Sequence, residues 1–199
     1  MRIAIAVLLV LVGACGPTPK PIGWYDQKSF PNICRNPTII GVGDILEINV
    51  WDQKDLNTEA TVRPDGTITM PLVGDIRAAS QTTTSLTDQI KRSLGNYIKL
   101  SAGNEVTIAI KAWKSYRFTV QGEVGKPGQF VNDTCVTVSD AVALAGGPTR
   151  FAKRNSMILM RQDGKGETQS IPLDYDLIAS GKRPDMNIWL MPGDVIFMP

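Results

Sequence analysis

The sequence predicts an α+β fold made of two small units that follow one another along the chain. Three observations support this: short runs in which apolar and polar residues alternate, two segments with helical periodicity, and turn residues that separate them. The first unit reads as three strands, a helix and a strand. The second reads as several short strands with one helix, and a small sheet wrapped on a single helix is the β-grasp arrangement.

Alternating apolar residues predict the strands of the first unit. Residues 46–50 alternate between apolar and polar side chains, which predicts a strand with one buried face. Pro64, Asp65 and Gly66 form a turn signal between two further alternating runs, and we interpret these runs as a hairpin. Residues 106–111 alternate again and predict the last strand of the unit.

One amphipathic helix is predicted between the hairpin and that last strand. Apolar side chains recur at every fourth position from Leu86 to Leu94, as expected for a helix with one buried face. Thr84 or Ser85 is the predicted N-terminal cap, and Gly95 ends the run as glycine often ends a helix.

The second unit combines a short helix with several strands. Residues 116–121 predict a strand, the turn GEVGKPG follows it before Phe130 and Val131, and SMILMR, TQSIPL and DVIFMP predict three more strands. The helix is predicted over residues 138–145, with Thr137 as its cap and Asp140 in its first turn. The turns that separate the last strands are predicted at Asp163–Gly164 and at Pro192–Gly193–Asp194.

The N-terminal segment is typical of a bacterial export signal. The apolar run at residues 3–12 would form about 15 Å of helix, half of the roughly 30 Å core of a bilayer, so it is too short to span. The last residues before Cys15 resemble a lipobox, which implies cleavage of residues 1–14 and acylation of Cys15. By resemblance to lipoprotein sorting signals, Gly16 favours the outer membrane. An ordinary signal peptide with an incidental cysteine is the alternative.

A proline-rich stretch follows Cys15. Residues 15–36 show no sustained periodicity, and we interpret them as a lipidated tether. The folded part is predicted to comprise residues 37–112 and 113–199.

Composition excludes several function classes. The formal net charge is +2, which gives no sign of a nucleic-acid partner. The chain contains no histidine, which excludes a Ser-His-Asp triad and a histidine zinc site, and we expect no metal and no cofactor.

Two cysteines besides Cys15 remain, Cys34 and Cys135. In an oxidising periplasm they can pair as a disulfide, and the alternative is that both are buried, unpaired small hydrophobic residues.

Five motifs appear together in one order: IGVGDILEINVW, VRPDGTITMPLVGDI, FTVQGEVGKPGQF, VSDAVALAGG and LMPGDVIFMP. They resemble the bacterial polysaccharide export family, the outer-membrane exporters of the Wza type. The first two resemble its export domain, which would occupy residues 37–112. The last three resemble its soluble-ligand-binding β-grasp domain, which would occupy residues 113–199.

The resemblance implies a homo-oligomeric ring around a passage for a capsular or secreted polysaccharide, with an inner-membrane polysaccharide co-polymerase as partner. We expect no enzymatic activity, because the sequence marks no pair of carboxyl groups as a catalytic site. Longer members carry a C-terminal amphipathic helix that forms the outer-membrane pore. This sequence ends five residues after Asp194, so we expect a short form that delivers polymer to a separate outer-membrane β-barrel. A monomeric glycan-binding outer-membrane lipoprotein is the alternative function.

The candidate site residues divide into turn formers and glycan contacts. Asp44, Asp65 and Asp194 lie beside glycines at predicted turns, where turn chemistry is favoured over substrate contact. The remaining motif-turn residues are Gly43, Pro64, Gly66, Gly122, Gly125, Pro127, Gly128, Gly146, Gly147, Pro192 and Gly193.

Trp51 and Trp113 can stack on sugar rings, although a strand-end aromatic is more often core or subunit interface. Lys111, Lys114 and Arg117 can face an acidic polymer, although a solvated strand face is the commoner arrangement. A glycosidase would need two carboxyl groups in a cleft, one with a raised pKa, and the sequence marks no such pair.

Overall fold

The computed structural model describes residues 35–36, 38–98, 106–162 and 166–199. The predicted signal peptide, nearly all of the predicted tether with Cys15 and Cys34, and the predicted turn at Asp163–Gly164 lie outside these residues.

Ten strands and three α-helices occur in the described part. The strands are β1 Ile45–Val50, β2 Thr58–Thr61, β3 Thr67–Met70, β4 Gly74–Arg77, β5 Val106–Ala112, β6 Arg117–Gly122, β7 Gly128–Val131, β8 Met157–Gln162, β9 Thr168–Leu173 and β10 Val195–Met198. The helices are α1 Thr83–Leu94, α2 Val138–Leu144 and α3 Tyr175–Ala179.

The predicted α+β fold is confirmed, and each unit has its own core. In the first unit β1 lies between β2 and β5 in an antiparallel sheet, and α1 packs against β5. In the second unit the strand order is β7-β6-β10-β8-β9, with parallel pairing between β6 and β10. One apolar cluster draws its buried residues from positions 40–106 and the other from positions 116–198.

The prediction of a hairpin at Pro64–Gly66 is wrong, because the two strands that this turn connects do not pair with each other. The turn forms, but β2 pairs with β1 whereas β3 pairs with β4, so the strands on either side of the turn belong to different sheets. The hairpin is β3–β4, which places Ile68 opposite Ile76. Its turn contains Leu72 at φ 65°, a left-handed conformation without the glycine that usually signals such a turn.

The two predicted helices form, but the N-terminal cap of the first helix is not one of the predicted residues. Thr82, and not Thr84 or Ser85, caps α1, because its side chain accepts a hydrogen bond from the Ser85 backbone. The three apolar residues that predicted the helix, Leu86, Ile90 and Leu94, are fully buried. Helix α2 begins after Thr137 as predicted, and Thr137 with Asp140 forms a reciprocal capping box.

Several elements of the structure were not predicted from the sequence. These are strand β4, helix α3 and the short 3-10 helices Lys54–Leu56, Arg154–Ser156 and Pro184–Met186. None of the helices in the described ranges combines the length and the hydrophobicity that a membrane crossing requires.

An exposed polar network reinforces the β3–β4 hairpin and supplies a prediction about pH. Asp75 accepts hydrogen bonds from Thr69 Oγ1 and from the Arg63 guanidinium, at 2.6 and 2.7 Å. These contacts, the Thr69 hydroxyl first and Arg63 second, hold the pKa of the Asp75 carboxyl below its usual 3.8. The folded state therefore keeps this carboxylate ionised at a pH where the unfolded chain takes up a proton.

We expect this contribution to be nearly complete above about pH 5 and to be lost as the pH falls through the lowered pKa of Asp75. Asp75→Asn should lower the melting temperature slightly near neutral pH and make its decline from pH 5 to about pH 3 shallower than in the wild type. Thermal melts of both proteins across this range measure the difference. Parallel declines would show that Asp75 does not contribute to acid sensitivity.

Candidate functional site

Two of the predicted turn aspartates adopt the same buried turn, one in each unit. Asp44 and Asp194 directly precede β1 and β10, and each follows a glycine with φ near +90°. In each turn the Oδ2 atom accepts a hydrogen bond at 2.8 Å from the backbone N–H three residues earlier, Gly41 or Met191. Neither side chain has more than 1% of its surface exposed. The two turns therefore set the entry of one central strand in each sheet.

Asp194 also forms a buried ion pair with Arg161 on β8. The guanidinium donates from Nε to Oδ1 at 2.9 Å and from Nη2 to Oδ2 at 2.6 Å, and Nη2 also donates to the Trp189 carbonyl. Arg161 itself is only 8% exposed. This bidentate geometry fixes the turn before β10 to the adjacent strand β8.

Asp44 joins the first unit to the segment between β5 and β6. Its carboxylate accepts hydrogen bonds from the Ser115 backbone N–H at 2.7 Å and from Ser115 Oγ at 3.0 Å. Gly41 lies so close to this segment that a Cβ there would stand 2.3 Å from the Ser115 Cβ. Asp44 is thus a fully paired carboxylate at the junction of the two units, and both of its oxygens are occupied.

Asp65, the third turn aspartate, is exposed. It accepts hydrogen bonds from the backbone N–H and the hydroxyl of Thr67, and these two contacts lower the pKa of its carboxyl. Gly66 in the same turn has φ +81°, and its carbonyl accepts from Ala78 and Ala79. Pro64 begins this turn beside Arg63, which lies within 3.4 Å of the Asp65 carboxylate.

The motifs GEVGKPG and LAGG, which are distant in sequence, meet in the second unit. Gly125 and Lys126 donate backbone hydrogen bonds to Gly147 and Ala145, at 2.9 and 2.6 Å. A Cβ on Gly125 would stand 2.9 Å from the Gly146 carbonyl oxygen, so only glycine permits this approach. Pro127 leads directly into β7, whose first residue is Gly128, and Pro192 and Gly193 lead into Asp194 and β10.

Gly122 holds the end of β6 against β10. It has φ +89°, and a Cβ there would stand 2.0 Å from the Met198 carbonyl oxygen. The neighbouring Glu123 N–H donates to that carbonyl at 2.7 Å. Gly122, Gly125 and Gly146 thus occupy positions at which backbone segments pack directly against one another.

The structure places the two predicted tryptophans in different environments. The Trp113 indole stacks on Tyr116, with ring centroids 4.6 Å apart, and packs against the second core. Its Nε1 is buried and has no hydrogen-bond partner among the described residues. Trp51 is 80% exposed and lines an open cleft at the end of β1. Of these two tryptophans, Trp51 is the one that offers an open indole.

The three basic residues do not form a uniform stripe. Lys111 on β5 pairs with Glu59 on β2, and this contact raises the pKa of the lysine. Lys114 and Arg117 are exposed. The Arg117 carbonyl accepts from Gly193, so its backbone belongs to the Asp194 turn.

Cys135 is disulfide-bonded, and it packs against the second core. Its partner lies outside the described residues, so pairing with Cys34 stays a prediction.

Sequence reasoning missed two buried polar residues that organise the second unit. The Tyr116 hydroxyl donates to the Leu190 carbonyl and accepts from the Val136 N–H, both at 3.1 Å. Burial raises the pKa of this phenol. A signal existed for Arg161, because it lies on the same inward-facing side of β8 as Met157 and Leu159.

Among the residues that the structure describes, no group of three or more Cys, Asp or Glu side chains is arranged to hold a metal ion.

Two family models match this chain. Residues 35–111 match the model described as polysaccharide biosynthesis/export protein, and residues 117–172 match the SLBB domain. The Asp44–Ser115 junction therefore connects the first matched region to the segment that separates the two.

Curated relatives cover both regions. The EPS I polysaccharide export outer membrane protein EpsA of Ralstonia nicotianae is 32% identical over 80% of this chain and 46% of the relative. EpsA of Ralstonia solanacearum is 31% identical, with 80% and 47% covered. The capsule polysaccharide export outer membrane protein CtrA of Neisseria meningitidis serogroup A is 27% identical, with 80% and 43% covered. The chain spans about half the length of these curated relatives.

Proposed function

We propose that this chain is a periplasmic component of a capsular or exopolysaccharide export machine. The chain belongs to the polysaccharide biosynthesis/export family and carries its SLBB domain. The observation that carries the proposal is the extent of the similarity. The alignments with named exporters run over 80% of the chain, through both units rather than through one common domain. The names of these relatives support an outer-membrane or periplasmic location.

We propose that copies of the chain form a ring that guides the polymer towards the outer membrane. Closed rings need complementary surfaces on each subunit, and the chain exposes several large apolar side chains. Those exposed by more than half are Ile39, Trp51, Leu72, Tyr97, Val131 and Phe151. The further partners in this proposal are the exported polysaccharide, an inner-membrane polysaccharide co-polymerase and a separate outer-membrane β-barrel.

The proposal assigns no catalytic step to the chain. A glycosidase acid needs a carboxyl whose pKa is raised by its environment. The pKa values of Asp65, Asp75 and Asp185 are instead lowered by hydrogen bonds from hydroxyl or guanidinium groups. The two buried aspartates already accept hydrogen bonds from backbone N–H groups, from Ser115 and from Arg161. These contacts favour structural roles for the carboxylates.

The experiment that tests the export role is deletion of the gene in the strain that carries it, followed by sugar analysis of the medium, the cell surface and the envelope. We expect secreted polymer to fall to background and to return when the wild-type chain is supplied. Normal secretion by the deletion strain would contradict the proposal.

A lipid anchor at Cys15 makes a separate prediction. Several acyl chains hold a protein at a membrane far better than one chain does, and the apolar run before Cys15 is too short to span. Cys15→Ser should move the protein from the outer-membrane fraction to the soluble periplasmic fraction and reduce polymer export. Fractionation with immunoblotting measures this. Unchanged membrane association together with normal export would contradict acylation at Cys15.

A further inference from the structure

An open cleft lies at the end of β1. It has a volume of about 560 Å³, and its walls come from β1, the loop that follows it and the start of β5. The residues that line it are Asn49, Val50, Trp51, Asp52, Lys54, Asn57 and Thr107. One large aromatic ring thus stands among amide, hydroxyl and charged groups.

Trp51 is the most exposed large apolar side chain in the described part of the chain, at 80%. A buried tryptophan in this position would have added to the first core, whose side chains Val50 and Leu56 lie on either side of the loop. The exposed indole instead forms an apolar platform beside polar groups. Aromatic faces of this kind pack on flat, partly apolar rings.

The loop that carries Trp51 is held in one conformation by local hydrogen bonds. The Val50 N–H donates to Asn57 Oδ1 at 2.8 Å, and the backbone of Gln53 and Asn57 closes two tight turns. Asp52 has φ 59°, a left-handed conformation that is uncommon outside glycine and that aspartate adopts more readily than most residues. A cleft of fixed shape pays less ordering entropy when it binds a ligand.

The polar groups of the cleft match the edge of a sugar ring. Because Asn57 Oδ1 accepts from Val50, the amide nitrogen is directed away from that contact, and it has no partner among the described residues. Asn49 and Thr107 lie opposite one another on β1 and β5 and are both exposed. Together these groups supply donors and acceptors for the hydroxyls of a pyranose whose C–H face lies on the indole.

The charges of the cleft select among sugars. Among the described lining residues the two ionisable side chains, Asp52 and Lys54, have opposite signs, so this part of the lining has no net charge. A uronic acid would find one cation and one anion, and its carboxylate would gain little. We propose that this cleft binds a neutral hexopyranose unit of the exported polymer. This inference rests on the proposed function for the identity of the polymer, and on the geometry of the cleft for its chemistry.

The test is calorimetric titration of the full chain with two pentasaccharides, cellopentaose as the neutral probe and pentagalacturonate as the acidic probe. The wild type should bind cellopentaose more tightly than pentagalacturonate. Trp51→Ala should weaken the binding of cellopentaose about tenfold or more, because the stacking platform is lost. Asn49→Ala should weaken it several-fold. Phe151→Ala, which removes an aromatic side chain 69% exposed in the other unit, should leave it unchanged.

Three results would overturn the inference: no binding of cellopentaose to the wild type, equal binding by Trp51→Ala, or tighter binding of the acidic probe. A change in native mass of the Trp51→Ala protein without a change in sugar affinity would assign Trp51 to a subunit contact instead. The deletion strain separates this inference from the proposed function. If the wild type restores secretion but binds no cellopentaose, only the cleft assignment fails. If deletion does not alter secretion, the export role fails whatever the titration shows.

Discussion

Replacing Asp194 with alanine should lower the free energy of unfolding by about 4 kcal/mol, the largest effect that we expect from a single side chain. The substitution leaves the Arg161 guanidinium buried without its anion, and it leaves the Met191 N–H without its acceptor. An unpaired charge in the interior costs far more than the pair contributes, because the lost partner had compensated its desolvation. Denaturant unfolding at neutral pH measures the loss.

The matched control for this variant is Asp185→Ala. Asp185 also pairs with an arginine, Arg183, but both side chains are about one-third exposed. Solvent screens such a pair, so we expect a small loss at most. Similar losses in the two variants would show that burial of the Asp194–Arg161 pair does not determine its importance.

Asp44→Ala should have the second largest effect, a loss of about 3 kcal/mol together with a loosened connection between the two units. The change removes the acceptor for three hydrogen bonds, from the Gly41 N–H, the Ser115 N–H and the Ser115 hydroxyl. Two backbone N–H groups at a packed junction are then left without a partner. We expect faster proteolysis within residues 112–116 and a lower unfolding midpoint.

Asp65→Ala is the control for this second variant, because the Asp65 carboxylate also accepts a backbone N–H at a turn, but at an exposed position and within one unit. It should leave the proteolysis pattern and the unfolding curve almost unchanged. If Asp44→Ala is as resistant to protease as the wild type, Asp44 is a local turn residue and does not connect the units.

Local sequence signals predicted the elements that depend on local physics. The capping box of Thr137 and Asp140 lies within one helical turn, and the sequence placed helix α2 within one residue of its observed end. The buried alternation of Tyr116, Phe118 and Val120 likewise identified β6. These elements need no information about distant residues, because their periodicity alone records which side is buried.

Several features that sequence reasoning missed depend on contacts between residues distant in sequence. The Pro64–Gly66 turn has the composition of a hairpin turn, but the choice of β1 as the partner of β2 is a tertiary preference. The Trp51 cleft includes Thr107, which the pairing of β1 with β5 brings next to Asn49. Trp51 and Trp113 were equivalent candidates in sequence, and only the packing of Trp113 on Tyr116 distinguishes them.

The central claim is that the chain acts as one subunit of a ring that guides a polysaccharide, and not as a monomeric glycan-binding lipoprotein. The most direct measurement is native mass spectrometry of the full chain, purified from membranes in detergent with its processed N-terminus. We expect a single closed homo-oligomer that persists on dilution to micromolar subunit concentration. A monomer under these conditions that still binds glycan would contradict the ring and support the monomeric alternative.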